Sequence, residues 1–509
     1  MHLREHIKKM THPKSAIVIG SGIAGLAIAC RLTLQGFTVK VFEQNAYPGG
    51  KLSMFEKDGF RFDAGPSLFT QPKNVEELFA ECGEKIEDYF TYKPVEVACT
   101  YFFENGKKVR GYACAENFAE ELFQQTNEPK NAVVKYLDNS RKLYQNIGTV
   151  FLNNSLHKRA TWLNKRIFTT IRAIKLPYLY KSLNRYNTEK FKTAEAAQIF
   201  NRFATYNGSN PYKAPAMLSL IPHLELNEGT FYPHGGMISI TNALYQLALK
   251  KGVQFFFNAP VQRIIHSQNI AHGVVVNNQN IYSDILVSNG DIYFTYKNLL
   301  NHSHKANRVL KQERSSSALI FYWGMDSSFS QLGLHNIFFS KNYKEEFNHI
   351  FNTKLLYSDP TIYINITSKE EEGHAPEGKE NWFVMINVPA NTGQNWESYI
   401  TQARENIIEK LNRLIQVDIA SFIESETILD PVLIEERTGS YMGSLYGTSS
   451  NSKMAAFFRA PNFTGYIKNL YHCGGSVHPG GGIPLCLKSA GITAAIIKND
   501  FKKRAPHSH

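Results

Sequence analysis

Residues 16–51 read AIVIGSGIAGLAIACRLTLQGFTVKVFEQNAYPGGK, and this stretch decides the fold. Ala16–Ile19 is a short apolar run bounded by glycine, too brief for a helix, and reads as a buried strand. Gly20, Gly22 and Gly25 then give G-x-G-x-x-G. The first glycine permits a tight turn, the second lets backbone approach a pyrophosphate, and the third lets the next helix pack close to the strand. Leu26, Ala29 and Leu32 continue at helical spacing, and Gly36 stops the helix. A second strand over residues 38–42 ends on Glu43, about 20 residues after the glycines, where a carboxylate accepts from ribose hydroxyls. A lone glycine motif is a weak signal. Here strand, glycines, helix, second strand and acid fall in register, which is the context the motif requires. The stretch predicts a bound nucleotide.

Gly49-Gly50-Lys51 moves the expectation from a nicotinamide cofactor to FAD, because this second Gly-Gly pair resembles the extended signature of flavoproteins with two dinucleotide domains. The 509 residues predict two or three domains, enough to enclose a large cofactor. With 43% hydrophobic and 20% charged residues the composition is ordinary globular, which excludes long disorder. No apolar run reaches the ~20 residues that span a bilayer. Residues 1–15 lack the apolar segment of a secretory signal, so the expected location is cytoplasmic. The six cysteines form no C-x-x-C pair and the 17 histidines no H-E-x-x-H, so neither a metal site nor a redox disulfide is expected.

The net charge of +12 is concentrated: between Asp138 and Glu189 there is no acidic residue, while ten lysines and arginines fall inside. On a helical wheel Leu163, Ile167, Ile171 and Ile174 share one face, with Lys158, Lys165 and Arg172 opposite. A basic amphipathic helix of this kind lies in the headgroup plane of an anionic membrane, at ~1 kcal/mol per basic side chain, or else packs on its own domain. No nucleic-acid module accompanies it.

Further along, Phe60–Asp63 reads as a strand feeding a Gly65-Pro66 turn, where bare backbone either lies against a flat ring or simply turns. Asn105-Gly106 marks a hairpin between residues 101–103 and 109–112. A helix is predicted over 239–250, then strands over 253–257, 261–265, 273–276 and 285–287, the last ending on Ser288-Asn289-Gly290-Asp291. Open α/β sheets bind ligands at such carboxyl ends. Residues 318–323, 361–366 and 382–388 read as strands and 397–415 as a helix without nucleotide signatures. Near the end a strand runs into a loop with five glycines between Gly474 and Gly482, followed by a helix over 485–497. The unpaired N–H groups of that helix, aimed at a flavin's pyrimidine edge, stabilise negative charge on the reduced ring.

With both ends in view, the chain resembles the bacterial phytoene desaturase family of carotenoid-modifying flavoenzymes, and within it the flavobacterial 1-hydroxycarotenoid 3,4-desaturases. The matching pieces, in family order, are the strand-glycine-Glu43 unit, Gly49-Gly50-Lys51, residues 62–67 (FDAGPS), 232–237 (YPHGGM), 288–291 (SNGD) and 478–484 (HPGGGIP). Leu485-Cys486 departs from the small residues that many members carry there.

The resemblance implies an α/β fold: a discontinuous Rossmann-like FAD-binding domain (1–80, 225–310, 440–509) and a mixed-sheet substrate domain with helices that faces the membrane (81–224, 311–439). It implies FAD contacts at Gly20, Gly22, Ile23, Ala24, Gly25, Glu43, Gln44, Gly50, Lys51, Gly65, Pro66, Ser67, Val261 (through backbone, to adenine), Asn289, Gly475, Ser476, Gly482, Ile483 and Pro484. The expected reaction is desaturation of an acyclic or monocyclic carotenoid by hydride transfer to flavin, then proton loss from the neighbouring carbon. The expected site is peripheral at the inner face of the cell membrane, with oxygen or a quinone as electron acceptor. The 34 phenylalanines and 26 tyrosines suit an apolar tunnel. No side chain presents itself as a general base beyond His234, a weak candidate. Carotene desaturation at another bond, isomerisation, oxygenation, or non-catalytic lipid carriage as in the GDP-dissociation inhibitors are the alternatives.

Overall fold

The computed structural model describes residues 14–163, 176–452 and 459–502. The predicted amphipathic helix over 163–174 lies outside the described residues except for Leu163.

Strand β1 (Lys14–Ile19) and β2 (Phe37–Phe42) flank helix α1 (Ile23–Leu34), as the opening stretch requires. Three more strands join them from distant sequence: β3 (Gln254–Phe256), β4 (Ile285–Ser288) and β5 (Leu470–His472). All neighbours are parallel, in the order β3-β2-β1-β4-β5. A parallel sheet is covered on both faces, which explains why residues 16–19 and 285–288 are apolar or small and buried throughout. On one face pack α1, α2 (Ile238–Lys250) and α3 (Ile483–Lys502). On the other lies an antiparallel sheet of Val261–Ser267, Ile270–Val276 and Gln279–Tyr282. Helix α3 starts two residues before the sequence reading placed it, because Pro484 sits in the first turn, where no intrahelical N–H is needed.

A second sheet has seven strands in the order Ile423–Leu429, Ser317–Met325, Glu380–Val388, Ile362–Ile366, His335–Phe338, Val97–Phe102 and Lys108–Tyr112. Val97–Phe102 and Lys108–Tyr112 are the predicted hairpin, with Gly106 at φ +80° in its loop. Side chains alternate between faces. Leu319, Phe321 and Trp323 point back onto the helix Trp396–Ile415, which buries Ala403, Ile407 and Leu411 against them. The intervening residues form the front face. One row crosses it at matched register, Leu429, Ile320, Met385, Tyr363, Ile337 and Tyr101, one residue per strand.

Candidate functional site

Strands β1, β4 and β5 all end at the same edge of the parallel sheet, since Ile19 pairs with Ser288 and Ser288 with His472. Their three loops therefore emerge side by side at the carboxyl ends, where such sheets bind ligands. Asn289 joins two of them. Its backbone N–H donates to the Ile19 carbonyl at 2.9 Å and its Nδ2 to the Gly20 carbonyl at 3.4 Å, while its Oδ1 stands 2.9 Å from where a Cβ on Gly474 would sit.

Glu43 closes the end of β2 and is 5% exposed. Its Oε2 accepts from Ser21 N at 2.7 Å and Ser21 Oγ at 2.9 Å, and its Oε1 from Asn45 N at 3.0 Å and Asn45 Nδ2 at 3.1 Å. Four donors hold the carboxylate in one orientation beside the first turn of α1 and the cavity.

Of the residues expected at the cofactor, Gly20, Gly22, Ile23, Ala24, Glu43, Gln44, Gly50, Lys51, Gly65, Pro66, Ser67, Val261, Asn289, Gly475, Ser476, Gly482, Ile483 and Pro484 all line one cavity of about 650 Å³. Gly25 does not line it. A Cβ there would meet the Gly20 carbonyl oxygen at 2.1 Å, so its bare backbone seats α1 against the loop that does. Gly65 carries a second reason to be glycine: a Cβ would fall 1.8 Å from the Lys51 carbonyl oxygen.

Lys51 Nζ donates to the carbonyls of Leu445 at 2.9 Å and Ser444 at 3.4 Å. Burial pulls its ammonium down to about 8, opposed by the charge of Asp291. A half-buried cation held by two backbone carbonyl oxygens is a fitting neighbour for an anionic or electron-rich ligand group. The glycine-lined loops, the first turn of α1, the Glu43 carboxylate and the first turn of α3 border one cavity of a chemistry that fits a dinucleotide.

Two of the motifs behind the family resemblance meet away from the cavity. The Asp63 carboxylate accepts from the N–H groups of Met237 at 3.0 Å and Ile238 at 3.3 Å, at the N-terminus of α2, and from Arg61 Nη2 at 2.8 Å. Arg61 also donates to the Gly235 carbonyl at 3.0 Å, and a Cβ on Gly236 would strike its guanidinium at 2.4 Å. These residues clamp the strand Phe60–Asp63 to α2 and so set the Ala64–Ser67 loop over the front sheet. His234 is corrected as a base: it is exposed and outside the cavity, because its backbone N–H is tied to the Thr91 carbonyl at 2.9 Å on the outer edge.

The same cavity continues over the front sheet, where Leu429, Ile320, Met385, Tyr363 and Ile337 form its floor and Leu218, Ile221 and Leu224 its roof. It holds a polar chain the sequence reading missed. Ser67 Oγ and the Tyr363 hydroxyl are 2.7 Å apart, and the Tyr363 hydroxyl reaches His335 Nδ1 at 2.8 Å. Asn365 Nδ2 lies 3.1 Å from the same nitrogen and donates to it, so Nδ1 accepts and the ring proton sits on Nε2. Burial holds His335 down to about 3, which keeps it neutral. Arg202, with Glu225 behind it, was missed as well. Neither group has a local spacing signal, since each is assembled from strands and helices far apart in the chain.

Residues 23–498 match the family described as flavin containing amine oxidoreductase. The chain is 51% identical over 488 residues to the 1-hydroxycarotenoid 3,4-desaturase of a Flavobacterium species, covering 96% of this chain and 99% of that one. It is 31% identical to the 4,4'-diapolycopene oxygenase of a Methylomonas species, across 96% of this chain and 98% of that one. Among solved structures, putrescine oxidase bound to putrescine superposes with a TM-score of 0.61 at 13% identity, covering 97% of this chain and 99% of that one. Cyclohexylamine oxidase from Brevibacterium oxydans also superposes at 0.61 and 13% identity, covering 96% and 100%. At this identity both share the fold.

Proposed function

The chain belongs to the flavin-containing amine oxidoreductase family, and on that footing we propose that it introduces the 3,4 double bond into a linear or monocyclic carotenoid bearing a 1-hydroxyl. That it is an FAD-dependent carotenoid desaturase rests on the full-length 51% identity to the Flavobacterium enzyme. The observation that carries the finer reading is the single cavity in which a dinucleotide cradle opens onto an apolar sheet floor.

When bound, FAD supplies a two-electron acceptor for hydride from an allylic C–H that no side chain is basic enough to deprotonate. The chain's own residues do the rest. Glu43 and the first turn of α1 would hold the adenosine half, and the loop Gly474–Gly482 with the first turn of α3 would hold the flavin half. Ile320, Met385, Ile337 and the roof leucines keep a polyene straight and dry, so that one C–C pair is presented repeatedly. Once hydride has left, the neighbouring C–H is acidic enough to protonate even an imidazole whose basicity burial has lowered, and its proton has a hydrogen-bonded route from Ser67 at the cavity through Tyr363 to His335 Nδ1 behind it. Replacing Tyr363 by Phe breaks that chain. We expect kcat to fall ~100-fold with FAD affinity unchanged, and a fall of less than twofold in rapid-quench turnover contradicts the exit.

Delivery of so apolar a substrate favours a membrane surface. Large apolar side chains stand exposed within the basic segment: Leu163 at 86%, Leu176 at 70% and Tyr180 at 53%. No described helix is long and apolar enough to cross a membrane. We expect the protein to float with anionic liposomes, and charge reversal at Lys165, Arg166 and Arg172 to reduce the floated fraction severalfold. Equal flotation of the two forms rules out a role for the segment. Oxygen or a quinone is the proposed final electron acceptor.

A further inference from the structure

The helix Ala194–Arg202 ends in the cavity wall, where Arg202 is 6% exposed. Its Nη2 donates to Glu225 Oε1 at 2.6 Å and to the Tyr101 hydroxyl at 3.0 Å. The Tyr206 hydroxyl donates to Glu225 Oε2, and Tyr101 to Oε1 at 3.3 Å. Glu225 is 0% exposed, so the guanidinium charge is balanced inside the protein. Arg202 Nε, however, is buried without a hydrogen-bond partner. The surroundings are apolar, with Leu218, Ile221, Leu224 and Ile337 facing the same space. The guanidinium does stack on the Phe203 ring, its Cζ 4.4 Å from the centroid, but a wall built only for hydrocarbon needs neither the charge nor the unpaired N–H. A buried ion pair is no more stabilising than apolar side chains of the same volume, and an unpartnered N–H is a direct cost.

We propose that Arg202 and Tyr206 form the subsite for a neutral oxygen on the end of the polyene, with Glu225 positioning both. The ligand hydroxyl accepts from Arg202 Nε and donates to the Tyr206 oxygen, whose own proton is committed to Glu225. Glu225 argues against an anionic ligand, and the need for both a donor and an acceptor favours a hydroxyl over an ether. Placement agrees with the chemistry. Tyr101 stands two strands from Tyr363, ~10 Å across the sheet, and Tyr363 touches Ser67. A hydroxyl at position 1 is only a few bonds from the 3,4 pair, so its partner must lie this close to the reacting region. The inference rests on the reading of the substrate as an oxygenated polyene.

The test uses the full-length, FAD-loaded protein and two polyenes that differ only in a terminal tertiary hydroxyl or a hydrogen in its place. Binding is followed by quenching of protein fluorescence, and turnover is followed separately. Wild type is expected to bind the hydroxylated polyene ~10-fold or more tightly than its analogue. Arg202→Lys keeps a cation for Glu225 but loses the Nε donor, and Tyr206→Phe loses only the hydroxyl. In each, the preference should shrink to about twofold or less while affinity for the hydrogen analogue is unchanged. Should Arg202→Lys fail to fold, Tyr206→Phe gives the same reading. The proposal is overturned if wild type does not discriminate, if both variants keep the preference, or if affinity for both polyenes falls equally. Tight, hydroxyl-selective binding without turnover of either polyene leaves the subsite standing and removes the desaturase reading instead.

Discussion

Gly25→Ala is expected to give a folded chain that no longer retains FAD. The added Cβ would lie 2.1 Å from the Gly20 carbonyl oxygen and 3.0 Å from Asn289 Nδ2, both fixed by the sheet edge. Neither can yield cheaply: Gly20 N donates to the Phe42 carbonyl at 2.8 Å, and Asn289 N to the Ile19 carbonyl. The helix must therefore move, taking the first-turn N–H groups of α1 away from the glycine loop and from Glu43. We expect FAD affinity to fall at least ~100-fold, about 3 kcal/mol, with far-UV circular dichroism close to wild type. Wild-type FAD retention by this variant, measured by flavin absorbance after gel filtration, contradicts the close-packing role given to Gly25.

Met385→Trp is expected to abolish turnover while leaving the flavin site intact. Met385 lies mid-row between Ile320 and Tyr363 and is only partly buried, so a larger side chain there projects into the cavity rather than into the core. A polyene held over the floor is lifted or blocked, and small misplacements of a reacting C–H cost about 100-fold. We expect kcat/KM to fall by at least ~100-fold with an unchanged flavin spectrum, and Met385→Ala to retain most activity. Near wild-type turnover by the tryptophan variant places the substrate elsewhere.

The nucleotide half of the molecule was readable because its signals are local. Gly20, Gly22, Gly25 and Glu43 sit on one continuous β-α-β unit, and Gly474–Gly482 sits on the turn from β5 to α3. The resemblance added residues such as Val261 and Asn289, whose side chains announce nothing. What the motifs meant physically was less readable. Asp63 and Gly236, read only as parts of the family motifs, turn out with Arg61 to clamp a strand to a helix. The substrate half resisted reading because its contacts are long-range: Val97–Phe102 pairs with His335–Phe338, and Arg202 meets Glu225 and Tyr101 only after three segments converge. Apolar alternation identified the strands without their order, and hence without the floor. His234 failed for the same reason, since exposure is set by the neighbour at Thr91 and not by its own motif.

The most direct test of the central claim is an anaerobic single turnover of the FAD-loaded protein with a 1-hydroxylated polyene. Loss of the oxidised-flavin absorption should accompany formation, in equal amount, of a product lighter by two hydrogens with its new double bond at the 3,4 position. An unbleached flavin, or a product of unchanged mass or with added oxygen, would contradict it.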